Sequence, residues 1–243
     1  MTVTLTPLRG VPEVQPGDDL GAILAAAAPD LRDGDVLVVA QKVVSKAEGR
    51  VRALADVEPG DEARALAGSQ SKDPRLVQIV LDETARLLRA ERGLLICVTR
   101  HGFVCANAGV DLSNAPPATA VLLPDDPDAS ARRIRQAVGK RVGVVISDSF
   151  GRPWRLGQTD VAIGAAGIRA LDDWRGKPDI HGRNLQVTEI ATADELAAAA
   201  DLARTKTSRE PAILIRGMNQ VVTEDDGPGA ATLRRPRNED LFL

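Results

Sequence analysis

The sequence contains no tyrosine, and only three phenylalanines and two tryptophans stand among its 243 residues. Val, Leu, Ile and Ala must therefore fill most of the core, and a tryptophan in a polar loop becomes a candidate for stacking on a ligand ring. Cysteine is as scarce: Cys97 and Cys105 are too few for a structural zinc site and read as two buried thiols rather than a disulfide. No segment reaches the roughly 18 apolar residues of a membrane span, and the opening MTVTLTPLRG has neither the charged nor the apolar block of a signal peptide. The expected location is the cytoplasm, without membrane contact. Net charge is −3, and no basic run persists long enough to follow a phosphate backbone, so nucleic acid is not an expected partner. Glycine-rich fingerprints of a P-loop or a dinucleotide-binding unit are missing as well, which disfavours an ordinary nucleotide-binding fold.

What is present describes a folded protein. A hydrophobic fraction of 44% beside 27% charged residues is too apolar for sustained disorder. The length suits one large domain or two closely joined lobes. Residues 3 to 8 alternate as a strand, GVPEVQPGDDL is a rigid loop, and the Ala-rich stretch 20 to 28 is a helix. DGDVLVVAQ holds a buried strand from Asp35 to Ala40, and QKVVSKAEGR reads as a basic loop after it. DPRLVQIVLDETARLLR predicts a helix with Asp73 as N-cap, Pro74 at the first helical position, and apolar spacing continuing to Leu88. Residues 94 to 98 and 103 to 110 predict a hairpin. PDDPDASARRIRQAVGKR predicts a helix capped by Asp128 or Ser130, and strand GVVISD follows. ADELAAAADLA is helical, TSREPAILIRG carries the last strand, and the tail after VTEDDGPGAATL is loop-rich. Helices and strands mix without strict alternation, which is an α+β pattern.

Two stretches bring oxygen ligands to strand ends. In CANAGVDLSN, small residues from Ala106 to Val110 allow close backbone approach and deliver Asp111, Ser113 and Asn114 together. Hard cations such as magnesium or manganese take such oxygens and keep positions for substrate phosphate, although Asp, Ser and Asn also favour turns for local reasons. In VVISDSFGRPWRLGQTD, an apolar strand is expected to break off at Asp148 and Ser149 into a loop holding Arg152, Trp154, Arg155, Gln158 and Asp160. Arginine forks suit carboxylate or phosphate, and pairing of Arg152 or Arg155 with Asp160 is the structural alternative. Gln41, Lys42, Ser45 and Lys46 supply ammonium groups that could neutralise a polyphosphate, as could Arg204 and Lys206. His101 reads as a turn residue and His181 as a solvated loop residue, and no Ser-His-Asp or Cys-His arrangement suggests itself.

Taken in order, GVPEVQPGDDL, DGDVLVVAQKVVSKAEGR, HGFVCANAGVDLSNAP, LLPDDPDASARRIR and SDSFGRPWRLGQTDVAIGAAGI resemble the coenzyme F-420:L-glutamate ligase family over nearly the whole chain. The resemblance implies a two-lobed, non-Rossmann α+β fold in an intertwined homodimer, with residues 1–243 as one ligase module and no C-terminal nitroreductase-like domain. It implies attachment of L-glutamate to F-420-0 at the expense of GTP, followed by extension of a γ-linked oligoglutamate tail. The acceptor carboxylate would be phosphorylated to an acyl phosphate and then attacked by the glutamate amine, with GDP and phosphate released. Two divalent cations, Mg2+ or Mn2+, assist, and a monovalent cation such as K+ is a further candidate.

By motif, the resemblance makes Asp111 and Asp148 the catalytic acids that hold the first metal and gives Ser149 to the second. Val11, Pro12, Glu13 and Val14, with Gln41, Lys46, Asn114, Arg204 and Lys206, would line the GTP site. Gln41 departs from the serine expected there, and Lys206 stands where related members carry a glutamate ligand to the second metal. Arg152 and Arg155 are candidates for binding the glutamate carboxylate. Two alternatives use the same residues: a metal-dependent phosphohydrolase, in which the acidic pair activates water, and a non-catalytic nucleotide-binding protein.

Overall fold

A computed structural model of the chain describes residues 2–205 and 207–241; Lys206 lies outside the described residues. In chain order the elements are β1 (Thr4–Pro7), α1 (Leu20–Ala27), β2 (Val36–Ala40), α2 (Gln41–Ala47), β3 (Val51–Ala53), α3 (Asp61–Gln70), α4 (Pro74–Asp82), β4 (Thr84–Glu91), β5 (Leu94–Thr99) and β6 (Val104–Ala106). They continue as β7 (Thr119–Val121), α5 (Pro127–Val138), β8 (Gly143–Arg152), β9 (Arg155–Ala166), β10 (Asp172–Asp173), β11 (Glu189–Ile190), α6 (Thr192–Asp201) and β12 (Ala212–Arg216). The fold is α+β, with several sheets and no barrel. Among the described residues no helix is long and apolar enough to cross a membrane.

The main sheet has the order β1-β12-β2-β8-β9, with β2 and β8 parallel and the other pairs antiparallel. Both faces of its centre are covered, which is why β2 reads as an unbroken apolar run and not as an alternating one. Leu37, Val39, Val144 and Ile146 pack with Leu24 of α1 and Ile134 of α5. Val36, Val38, Val145 and Ile213 pack on the other side with Leu196 and Ala197 of α6. A separate apolar cluster joins α3 and α4 to β5 and β7 through Ala67, Val77, Ile79, Leu95, Ala120 and Leu122.

Several local expectations are corrected. The basic loop after β2 is helix α2, in spite of two adjacent valines that favour strand. Val44 is buried, Val43 and Ala47 pack on the core, and the buried Gln41 amide donates to Ser45 Oγ (2.6 Å) and Leu122 O (2.8 Å). Tertiary packing overrides propensity here. The helix expected from Asp73 through Leu88 begins as foreseen, with Asp73 accepting from Arg75 N and Pro74 at the first turn, but ends at Asp82. The rest is β4, which pairs with β5 through a two-residue turn at Arg92 and Gly93, both at positive φ (54° and 75°). That turn suits the right-handed strand twist, and the ladder it starts captures a segment whose leucines fit either period.

The cap of α5 is Asp126 rather than Asp128 or Ser130, its side chain accepting from Ala129 N, because Pro127 takes the first helical position. Finally, β8 does not break off at Asp148. It runs on to Arg152 and returns as β9, and the turn between them holds Trp154 at φ 59°.

Asp128 is released from capping and ties the fold together instead. Its Oδ1 accepts from Ala165 N of β9 (2.8 Å) and Ala230 N of the tail (2.7 Å), and its Oδ2 from Ala231 N (3.2 Å). Asp128→Ala leaves three amides without their acceptor and is expected to cost about 2–3 kcal/mol in urea unfolding, against about 1 kcal/mol for Asp126→Ala. Equal losses in the two variants would show that the tail is not held through Asp128.

Candidate active site at the ends of two parallel strands

Parallel pairing brings Ala40 opposite Ser147, so the residues that follow β2 emerge beside Asp148 of β8. Helix α2 starts there, and Lys42 and Lys46 lie one turn apart on it, as neighbours at i and i+4 do. Lys46 Nζ reaches Glu13 Oε1 in the loop after β1 (2.6 Å). Lys42 Nζ contacts Asp111 Oδ2 (2.7 Å) and donates to Ser113 Oγ (2.6 Å). One short helix thus links the Val11–Val14 loop to the Asp111 loop. Within the former, Val14 is buried and Pro12 and Glu13 are exposed.

The approach to Asp111 is unusual backbone. Asn107, Ala108 and Gly109 are consecutive at φ 51°, 51° and 73°, and Asp111 then bridges Val121 by paired backbone bonds. Left-handed alanine costs about 1 kcal/mol or more, so the surroundings must hold the turn. They do: Ala108 is buried, and a Cβ on Gly109 would stand 2.7–2.8 Å from the side-chain carbons of Leu123. The small residues therefore serve close approach to the protein's own core. Asp111 then accepts from Ser113 N (2.7 Å) and Ser113 Oγ (2.8 Å). Burial pushes the Asp111 carboxyl up, but Lys42 and the Ser113 donors outweigh it and hold the group below the usual carboxylate range. Asn114 is exposed at φ 54°, in the same loop.

Asp148 and Ser149 are successive residues of one strand and point to opposite faces. Asp148 shares its face with Phe150 and α2. Burial pushes its carboxyl up to about 7; the Ser149 N–H and Lys42 oppose the rise, while the charges of Asp160 and Asp111 add to it. Cys105 lies close by, and burial followed by the Asp148 charge drives its thiol up to about 12, so it stays neutral beside the acids. Both cysteines are free and buried, as expected.

On the other face, Ser149 Oγ donates to Asp160 Oδ1 (2.6 Å) and Ser147 Oγ to Asp160 Oδ2 (2.9 Å). Asp160 is 1% exposed and is paired with Arg204 at 2.5 Å, not with Arg152 or Arg155. Arg152 instead donates to Leu156 O across the hairpin (2.6 Å). The Arg204 guanidinium is thus committed behind the sheet, away from Lys42 and Asp111. Asp160 is the residue whose importance the sequence concealed. Its strand position was hidden by the loop expected there: Ser149 lies four residues before Pro153 and Asp160 six after Trp154, and only the bulge between Gly151 and Arg152 brings them opposite each other, so simple spacing about the turn does not place it. Of the histidines, His101 sits in the β5–β6 turn with Nε2 2.8 Å from Pro124 O, and His181 is exposed.

Among the described residues no three His, Cys, Asp or Glu side chains converge as a metal cluster. Two carboxylates with nearby hydroxyls nevertheless match Mg2+ or Mn2+, which commonly use one or two carboxylates and complete their shell with water and phosphate. Asp111 and Asp148 are the carboxylates that would hold one such cation. Ser149, expected to serve a second, turns its hydroxyl to the other face of β8, where it donates to Asp160. An open cavity of about 400 Å3 at the β1 edge, lined by Thr6, Arg9, Asp30 and Arg216 among others, includes none of these groups.

Residues 10–217 match the family model described as F420-0:Gamma-glutamyl ligase. The chain is 42% identical over 251 residues to the coenzyme F420:L-glutamate ligase of Methanothermobacter thermautotrophicus, covering 100% of this chain and 99% of that protein. It is 44% identical to the protein of the same name from Methanopyrus kandleri, covering 99% and 98%. The Natronomonas pharaonis protein of that name is 48% identical over 96% of this chain and 91% of its own length.

An ionised carboxyl held at a pKa of about 7 costs folding free energy. Its unfolded value lies near 3.9, so the cost grows as pH rises from about 4 to 7 and is constant above that. In metal-free protein, Asp148→Asn is expected to raise unfolding free energy at pH 8 by something on the order of 1–3 kcal/mol, with the gain vanishing below about pH 4. Urea titrations across this range give the comparison, and a pH-independent difference would refute the assignment.

Proposed function

The chain belongs to the F-420-0:gamma-glutamyl ligase family, and from that premise we propose that it joins L-glutamate to F-420-0 in a GTP-dependent reaction and extends a γ-linked oligoglutamate tail. The observation that carries the reading is the meeting of Lys42 with Asp111 beside Asp148, in a chain that matches ligases of this name over its full length. A carboxylate is a poor electrophile. Phosphorylation by GTP converts one of its oxygens into a leaving group and releases GDP; attack by the glutamate amine then forms the amide, expels phosphate and gives up a proton. Asp111 and Asp148 would hold one ion, Mg2+ or Mn2+, which would supply charge neutralisation to the phosphate.

The rest falls to side chains. Lys42 and Lys46 on α2 present ammonium groups to the phosphates, which suits phosphoryl transfer, where positioning and charge stabilisation dominate. Val11 to Val14 and Asn114 border the same face and are assigned to the nucleotide. Gln41 contributes through the seat of α2, because its amide is bound to Ser45 and Leu122. Arg204 acts from behind, through Asp160. A second cation would depend on Ser149.

We assign the unit of function to a homodimer. The tip of the β8–β9 hairpin exposes Trp154 (82%) and Leu156 (97%), and the segment between β10 and β11 exposes Ile180 (94%) and Val187 (86%). Apolar groups this open on a chain poor in aromatics fit a surface covered by a second copy.

With GTP, Mn2+, F-420-0 and L-glutamate, the protein is expected to add glutamate-sized mass increments to the deazaflavin while releasing GDP. GDP release at the same rate without glutamate and acceptor, and no added mass, would point to a phosphohydrolase instead. Asp148→Asn is expected to lower turnover by about 100-fold or more while the protein remains folded. Leu156→Asp is expected to shift the sedimenting species from dimer toward monomer; an unchanged wild-type monomer would dismiss the dimer.

A further inference from the structure

The contact between Lys42 and Asp111 bears on when a cation can enter. The ammonium lies 2.7 Å from Asp111 Oδ2, and the Ser113 hydroxyl that it also contacts at 2.6 Å is itself bonded to that carboxylate oxygen. Lys42 is about one-quarter exposed and Asp111 less than half, so water screens the contact incompletely. A divalent ion that takes Asp111 Oδ2 must share it with this ammonium or displace it, and one that takes Oδ1 still meets the ammonium across the same carboxylate. Like charges at such separations, in an environment less polarisable than water, repel strongly enough to change binding constants by tenfold or more. Displacement also costs Lys42 its only described carboxylate partner.

We propose that Lys42 is the internal counter-ion of Asp111 and opposes divalent-cation binding until a phosphate-bearing ligand draws the ammonium away, so that metal and nucleotide load together. This deepens the proposed metal site and rests on it. A triphosphate offers Lys42 a new anionic partner one ion-contact away from the one it leaves. The position of Lys42 in the first turn of α2, on a flexible four-carbon stem, allows that exchange without movement of the helix. Lys46, bound to Glu13 one turn along, is a second such group and does not touch the acidic pair.

Binding of Mn2+ alone, followed by the electron paramagnetic resonance of the free ion, tests this without catalysis. Lys42→Gln is expected to bind Mn2+ about tenfold more tightly than the wild-type protein, while Lys42→Arg, which keeps the charge, stays near wild type. Addition of GTP is expected to tighten Mn2+ binding much more in the wild type than in Lys42→Gln. A structural role for Lys42 would not produce this split between Gln and Arg. Equal or weaker Mn2+ binding by folded Lys42→Gln overturns the inference and leaves the metal site standing. Absence of Mn2+ binding in all three proteins, with and without GTP, overturns both.

Discussion

Parallel pairing of β2 with β8 is the constraint on which the site depends. Antiparallel neighbours would deliver their chain ends to opposite edges of the sheet, whereas a parallel pair delivers both C-terminal ends to one edge, where ligands of open sheets are commonly bound. Here the two chains diverge at Ala40 and Ser147. The first turns into α2 and carries Lys42 and Lys46. The second continues with Asp148 into a hairpin that leaves the body of the protein. Neither strand can shift by one residue, because Val36 to Val39 alternate between two apolar clusters and a slip would exchange the faces.

The pleat then divides labour. Asp148 faces Lys42 and Asp111, while Ser147 and Ser149 face Asp160 and Arg204. Adjacent residues thus belong to different electrostatic environments. On one face, burial and the neighbouring carboxylates hold the Asp148 carboxyl at an elevated pKa. On the other, a buried carboxylate with three described hydrogen-bond donors holds the strand end and the start of the late loop. Losing one partner of a buried ion pair is costly because the other charge remains. Asp160 and Arg204 are therefore best understood as the support behind the site, with the reactive edge on the far side of the same hairpin.

Much of this was legible from sequence, and the failures share a cause. Strands β1, β2, β5 and β12, helices α1 and α6, and the capped start of α4 followed from local pattern and turn chemistry. The Asp111 and Asp148 stretches were singled out locally as oxygen donors at strand ends, but Asp148 lies inside β8, which runs on to Arg152. What was not legible depended on distant partners. Val43 and Val44 become helical because the core next to β2 accepts them. Leu87 and Leu88 become strand because β5 is available. The hairpin beyond Asp148 contains Pro153 and two glycines and reads as loop unless its return strand is known. Asp128, which looks like a cap, is claimed by amides more than 30 and 100 residues away.

The same distance dependence explains why Asp111 looked ambiguous. Locally it is an Asx-type turn, and Ser113 supplies the expected donors. That description remains true in the folded protein; the turn and the proposed ligand are one structure. The turn orients the carboxylate, and Lys42, from 69 positions earlier in the chain, neutralises it. Among the described residues Lys42 is the ammonium that opposes the rise at Asp148, while the like charges of Asp160 and Asp111 add to it. A lone divalent ion would relieve this repulsion more fully than any described residue, since Lys42 is already shared with Asp111. The unequal pairing of the two acids among the described residues, one in direct contact with Lys42 and the other influenced by it without a described ion pair, is the electrostatic ground for the cation proposed there.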